Sequence, residues 1–156
     1  MAEALDGSAS ERTIGGFLVP AEWPDEHDAA FLRMRSRQLA QSPANEPFLA
    51  RAIVLRGNPR RPMIGHIGFH GPPKDGWLEM GYMVFEEYRR QGIAEEAARA
   101  LMAWATGQHG IQRFRISISP ENAPSLGMAA KIGFHQIGEQ WDDEDGLEWV
   151  FELAVG

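Results

Sequence analysis

The sequence contains no cysteine. That removes a disulfide framework, a thiol nucleophile, and any zinc or iron–sulfur site held by Cys. No apolar run approaches the roughly 18 residues of a membrane span, so no membrane partner is expected. The first dozen residues, Met1 to Arg12, are small, polar and acidic. They lack the basic start and apolar middle of a signal peptide, so residues 1–12 are expected to form a disordered tail in a cytoplasmic protein. Basic charge is also short: 15 Lys and Arg stand against 22 Asp and Glu, a formal net charge of −7. General nucleic-acid binding rests on basic patches against phosphate, and no nucleic-acid partner is expected. The same balance suits a cationic substrate such as an amine, although acidic surfaces also keep any protein in solution.

What remains is an ordinary globular composition over 156 residues, enough for one domain with a real core. No repeat or linker divides the chain, so residues 13–156 read as a single domain. Ile14 to Trp23 is at best a ragged opening strand. Asp25 to Leu39 fits a helix loosely behind Pro24, Gln41 to Pro47 reads as a loop, and Phe48 to Arg56 as a strand. Met63 to His70 alternates, with His66 and His70 on one face, and should pair with a strand at Trp77 to Phe85 in an antiparallel hairpin. Gln91 to Thr106 carries apolar residues at 93, 94, 97, 98, 101, 102 and 105, one stripe at helical period, with Gly107 and Gly110 ending it. Arg113 to Ser119 alternates as a strand. Asn122 to Lys131 is a short helix that Asn122 can cap and Gly133 can terminate. His135 to Trp141 and Leu147 to Leu153 make a closing hairpin around an acidic turn. The order is α/β, with a mostly antiparallel sheet and one strand–helix–strand crossover.

The chemistry lies in that crossover. A strand ending at Val84 runs through Arg89-Arg90-Gln91-Gly92-Ile93-Ala94 into the long helix. A tight loop with small residues at a helix N-terminus is an anion site, because free N–H groups and the helix dipole converge there. Two arginines add positive charge to an otherwise acidic chain. The spacing is neither that of an NTPase phosphate loop nor that of a dinucleotide fold. A βα turn with a surface Arg pair is the plainer interpretation of these residues alone.

More follows in order. Glu79-Met80-Gly81-Tyr82-Met83-Val84 leads into the loop. Pro120-Glu121-Asn122-Ala123-Pro124-Ser125 and Lys131-Ile132-Gly133-Phe134 come after the helix. From about Met63 to Leu153 the chain resembles the GNAT acetyltransferase superfamily, whose Gln/Arg-x-x-Gly-x-Gly/Ala motif cradles the pyrophosphate of CoA. The Glu-x-Gly-Tyr and Pro-Glu-Asn-x-x-Ser blocks look most like the branch that acetylates ribosomal-protein N-termini. The resemblance implies a GNAT fold, with a twisted sheet, flanking helices and a central pair of parallel strands that splay apart. It also implies acetyl-CoA as co-substrate and a primary amine, either a protein N-terminus or a small molecule, as acceptor. Members often form dimers, so a homodimer is a further expectation, although no apolar stripe marks an interface.

Carried over position by position, the resemblance assigns cofactor binding to Met83, Val84, Arg89, Arg90, Gln91, Gly92, Ile93, Ala94 and Asn122. Backbone groups of Met83 and Val84 would hold the pantetheine arm, and Ser125 would lie near the sulfur. Glu79 is the candidate general base, with a solvated strand carboxylate as the plainer alternative. His66 and His70 are the next candidates, and a metal site there lacks a third ligand. Many members place a tyrosine general acid where this sequence has Ala129. Either Ser125 takes that role, or the thiolate leaves unaided, or the protein is a CoA-binding sensor with weak catalysis. Trp77 and Trp141 are candidates for lining an acceptor groove beside plain hairpin packing, and the acidic run Asp142 to Asp145 with Glu148 is most simply a solvated turn, with a patch for a cationic acceptor as the alternative.

Overall fold

The computed structural model describes residues 12–156. Of the expected tail, all but Arg12 lies outside them, and Arg12 pairs with Val19. The opening is a hairpin of β1 (Arg12–Ile14) and β2 (Phe17–Val19), followed by α1 (Glu26–Gln41), whose first turn is capped by the Asp25 side chain. A 3-10 turn occupies Pro43–Phe48, where the sequence had suggested a loop. It leaves β3 only Arg51–Val54. Next come β4 (Met63–Phe69) and β5 (Trp77–Val84), the expected antiparallel hairpin. The second half comprises α2 (Ile93–His109), β6 (Arg113–Ile118), α3 (Ala123–Ile132), β7 (His135–Asp142) and β8 (Gly146–Ala154).

Both ends of the long helix differ from the sequence reading. The long helix starts at Ile93 rather than Gln91 because Gly92 is left-handed, at φ 75°. It also runs through Gly107 and stops at Gly110 (φ 67°), whose N–H caps the carbonyl of Thr106.

Six strands form one sheet in the order β3-β4-β5-β6-β8-β7, and only β5 and β6 run parallel. Neighbouring residues of a strand point to opposite faces, so β4 sorts the layers. Ile67 packs in the cluster that holds Leu101 and Met102 of α2, together with Phe114 of β6 and Ala129 of α3. His66 faces the other way, onto Asp28 of α1. α2 and α3 therefore cover one face, and α1 with Trp23 and Val19 covers the other. Every residue of β4 is buried as a result. Among the described residues no helix is long and apolar enough to cross a membrane.

Candidate active site

The parallel pair joins at only one end. Trp77, Leu78 and Glu79 sit beside Arg113, Phe114 and Arg115; beyond them β5 continues to Val84 with β4 alone, and β6 to Ile118 with β8 alone. The register decides which backbone groups this frees. Antiparallel strands alternate bonded and unbonded pairs. His70 N–H bonds Glu79 O at 2.8 Å and Phe85 N–H bonds Ile64 O at 2.9 Å, so the pairs His66–Met83 and Gly68–Gly81 in the same register are bonded too. Met80, Tyr82 and Val84 therefore turn their N–H and C=O groups away from β4, toward the splay. The Val84 carbonyl accepts from Arg89 Nε at 2.8 Å. Met83 has its main chain engaged with β4; its sulfur lies 3.5 Å from Arg89 Nη2.

After Val84 the chain makes a short 3-10 turn (Glu86–Tyr88) and two left-handed steps, Arg90 at φ 63° and Gly92 at φ 75°. The first α2 bond runs from Glu96 N–H to Gly92 O at 3.0 Å. The N–H groups of Ile93, Ala94 and Glu95 thus have no acceptor inside the helix. A side chain at Gly92 would meet nothing within 4 Å, so glycine there supplies the φ angle and leaves the mouth open. A groove of about 700 Å³ follows, lined by Met83, Val84, Arg89, Arg90, Gly92, Ile93, Ala94, Asn122 and Ser125, with Tyr82 and Met128. Gln91 is exposed and is not among the lining residues. Glu95, which also lines the groove, is tied to Lys131 at 2.9 Å and Arg99 at 3.0 Å, and these cations hold its carboxyl below the usual range.

Across the groove, Asn122 caps α3 by accepting from Ser125 N–H at 3.2 Å. Ser125 Oγ in turn lies 2.5 Å from the Tyr82 hydroxyl, so a bond between two hydroxyls bridges β5 and α3. Burial pushes the Tyr82 phenol up, partly offset by this bond. Ala129, by contrast, is fully buried in the core. Phe134 is buried, and Gly133 ends α3 at φ 111°; that part of the second block shapes the fold.

On the opposite face lies a second cavity, of about 210 Å³, between α1 and the β4–β5 hairpin. Its floor includes the facing glycines Gly68 and Gly81. A Cβ at Gly81 would stand 2.8 Å from His70 Nε2, so the imidazole lies over that strand. Asp28, Phe31 and Arg35 of α1 form one wall, and Asp145 reaches in from the β7–β8 turn. That turn is built by Asp142, whose Oδ1 accepts from the N–H groups of Glu144 (2.8 Å) and Asp145 (2.9 Å). Neither expected tryptophan is among the lining residues. Trp77 carries the Arg115 guanidinium 4.1 Å from its ring, and Trp141 is 74% exposed on the closing hairpin.

Glu79 sits at the joined end of the splay. Its Oε1 accepts from Ser117 Oγ at 2.7 Å, and Oε2 lies 3.7 Å from His70 Nδ1. His70 and then Ser117 hold its carboxyl below the usual range against the effect of burial, so Glu79 is ionised at neutral pH. Of this pair only His70 lines the cavity. His66 also lines this cavity, but its Nε2 is engaged 3.2 Å from Asp28 Oδ1, and Trp23 Nε1 donates to Asp28 Oδ2 at 2.7 Å. Among the described residues no three His, Asp or Glu converge as metal ligands do.

Both cavities are lined by Tyr82 and Met83. Sequence reasoning missed Tyr82 as a functional candidate, and missed the α1 wall. A signal for each existed: Tyr82 shares the face of Met80 beside the splay, and residues 28, 31 and 35 recur at the spacing of one helix face.

The acetyltransferase (GNAT) domain family matches residues 3–135. The uncharacterized N-acetyltransferase YjdG of Bacillus subtilis is 27% identical over 120 residues, 76% of this chain and 70% of that protein. A solved protein from Bordetella pertussis, assigned to the GNAT acetyltransferases, superposes with a TM-score of 0.64 at 27% identity, covering 84% of this chain and 79% of its own. One from Vibrio cholerae, assigned as a ribosomal-protein-serine acetyltransferase, shares the fold with a TM-score of 0.64 at 22% identity, over 86% of this chain and 79% of its own. With a family match over most of its length, a splayed parallel pair and the loop that follows it, the chain belongs to the GNAT acetyltransferase family.

Proposed function

We propose that the chain moves an acetyl group from acetyl-CoA to a primary amine by direct attack in a ternary complex, without a covalent enzyme intermediate. The observation that carries this reading is the meeting of the two cavities at Tyr82 and Met83, which puts a donor groove and an acceptor cavity on opposite faces of one splayed sheet. The donor groove fits acetyl-CoA chemically. Free N–H groups at 93 and 94, with Arg89 and Arg90, suit a pyrophosphate, and the main-chain groups of Tyr82 with the N–H of Val84, turned away from β4, suit an amide chain that adds to the strand edge. The N–H of Val84 is our candidate donor to the thioester carbonyl, whose oxygen gains charge during attack.

The acceptor nitrogen must be neutral to attack. An α-amine, with an unperturbed pKa of about 7.7–8.0, loses its proton more readily than a lysine at about 10.4. This supports a protein N-terminus, and a small amine is the other acceptor in view. Glu79 acts through His70, which faces the cavity and takes the amine proton, while the carboxylate, 3.7 Å from Nδ1, stabilises the imidazolium that forms. Asp145 adds a negative charge that suits a cationic acceptor. Residues 13–156 form the catalytic domain of a cytoplasmic protein in this reading.

A second reading, a CoA-binding sensor with weak catalysis, is favoured by Ala129, which places no hydroxyl in the groove. Glu79→Gln separates the two. For an enzyme, turnover with acceptor amines falls about tenfold to a hundredfold, less than the roughly hundredfold or more that loss of the base itself would cost, while acetyl-CoA affinity stays within about twofold. Unchanged turnover would remove Glu79 from the mechanism, and no turnover in the native chain with bound CoA would favour the sensor.

A further inference from the structure

α3 offers the groove one hydroxyl, that of Ser125, because Ala129 one turn later is buried in the core. A serine hydroxyl is a weak acid and has one hydrogen to give. What it does with that hydrogen depends on Tyr82, 2.5 Å away across the splay. In a pair of hydroxyls one donates and the other accepts. The phenol is the more acidic of the two, with an ordinary pKa of about 10, so it is the better donor.

Resting on the acetyl-transfer reading above, we propose that Tyr82 is a positioning residue for the leaving sulfur: its hydroxyl donates to Ser125 Oγ, and the Ser125 hydrogen is thereby turned toward the thioester. The phenol substitutes, from the strand side, for a hydroxyl that α3 does not present at Ala129. Burial keeps the Tyr82 hydroxyl protonated through neutral and mildly alkaline pH. A hydroxyl that accepts one hydrogen bond donates a second more strongly, so Ser125 is polarised in the needed direction. In the step itself the amine nitrogen bonds to the carbonyl carbon and the carbon–sulfur bond breaks. Its electron pair stays on sulfur as a thiolate, and the proton shed by nitrogen passes to the His70 side. Ser125 and Tyr82 stabilise the thiolate by hydrogen bonding, and neither loses its proton.

The thiol of bound CoA reports this directly, with no acceptor needed. Native protein, Tyr82→Phe, Ser125→Ala and the double variant are each saturated with CoA, and the thiolate is followed by its ultraviolet absorbance against pH. Free CoA is titrated alongside as the reference, because its thiol lacks the flanking peptide groups that set the cysteine value of about 8.5. In the native protein the bound thiol should titrate about one unit lower, and Tyr82→Phe should return it by about one unit, a tenfold loss of thiolate at a given pH. Ser125→Ala should do the same, the double variant should add nothing further, and CoA affinity measured near pH 6, where the thiol is protonated in every protein, should stay within about twofold. Identical titrations in native protein and Tyr82→Phe, or effects that simply add, would overturn the relay. Failure of CoA to bind the native chain would overturn the acetyl-transfer reading beneath it. Should Tyr82→Phe fold poorly, Ser125→Ala at its half-buried position carries the same readout.

Discussion

Gly92→Glu is expected to weaken acetyl-CoA binding about a thousandfold while leaving the fold intact. The carboxylate would enter the open mouth of the groove, where a Cβ meets nothing within 4 Å. Steric clash inside the protein is therefore not the cause; charge is. Two like charges about 4 Å apart at an effective dielectric near 20 repel by about 4 kcal/mol, close to three powers of ten in Kd. The backbone adds a smaller penalty, since Gly92 sits at φ 75° and a left-handed L-residue costs about 1–2 kcal/mol. Gly92→Ala isolates that second effect and should weaken binding by no more than about thirtyfold. Calorimetry on the three proteins checks it. Equal affinities for the Ala and Glu variants would mean that no phosphate occupies this mouth.

The second large effect concerns stability. Asp28→Ala should destabilise the protein by about 3 kcal/mol at neutral pH, read from urea denaturation. Asp28 is 5% exposed and satisfies two buried partners at once, His66 Nε2 and Trp23 Nε1. Truncation leaves both without an acceptor, and a buried pair broken from one side costs about 3–5 kcal/mol. Asp28→Asn can still accept from the indole and donate to a neutral imidazole, so it should lose only about 1 kcal/mol. The pH dependence has a definite sign. The hydrogen bond from His66, and then that from Trp23, hold the Asp28 carboxyl below its usual range despite burial. Its stabilising contribution is therefore complete above the unfolded value of about 3.9 and is lost as pH falls through the lower folded value. The gap between native protein and Asp28→Ala should narrow below about pH 4. An Ala variant no less stable than the Asn variant would show that these bonds carry no net stability.

The groove beyond β5 was legible because its determinants are local. The stripe from Ile93 to Ala105, the glycine before it and the alternation of β4 place the loop within a few residues of the observed boundaries. The cavity under α1 was not legible, for a physical reason. The inner face of α1 is polar where helix reading looks for apolar residues: Asp28 and Arg35 are buried, while Met34 is 47% exposed. Its apolar period is correspondingly weak. Tyr82 and Ser125 meet across 43 positions of sequence, and Asp145 arrives from a hairpin turn that only the folded sheet brings to the cavity. The 3-10 turn at Pro43–Phe48, which shortens β3, likewise depends on packing: Phe48 joins the core beside α2.

The most direct test of the account is transfer itself. Native protein is incubated with isotopically labelled acetyl-CoA and a panel of peptides with free N-termini and small primary amines. Mass spectrometry then locates the label, and thiol release is counted in parallel. The account predicts label on the acceptor nitrogen, one free thiol for each acetyl group moved, and none held on the protein during turnover. Label accumulating on the chain and chasing onto acceptor would contradict direct attack, and thiol release without any labelled amine would contradict the proposed function.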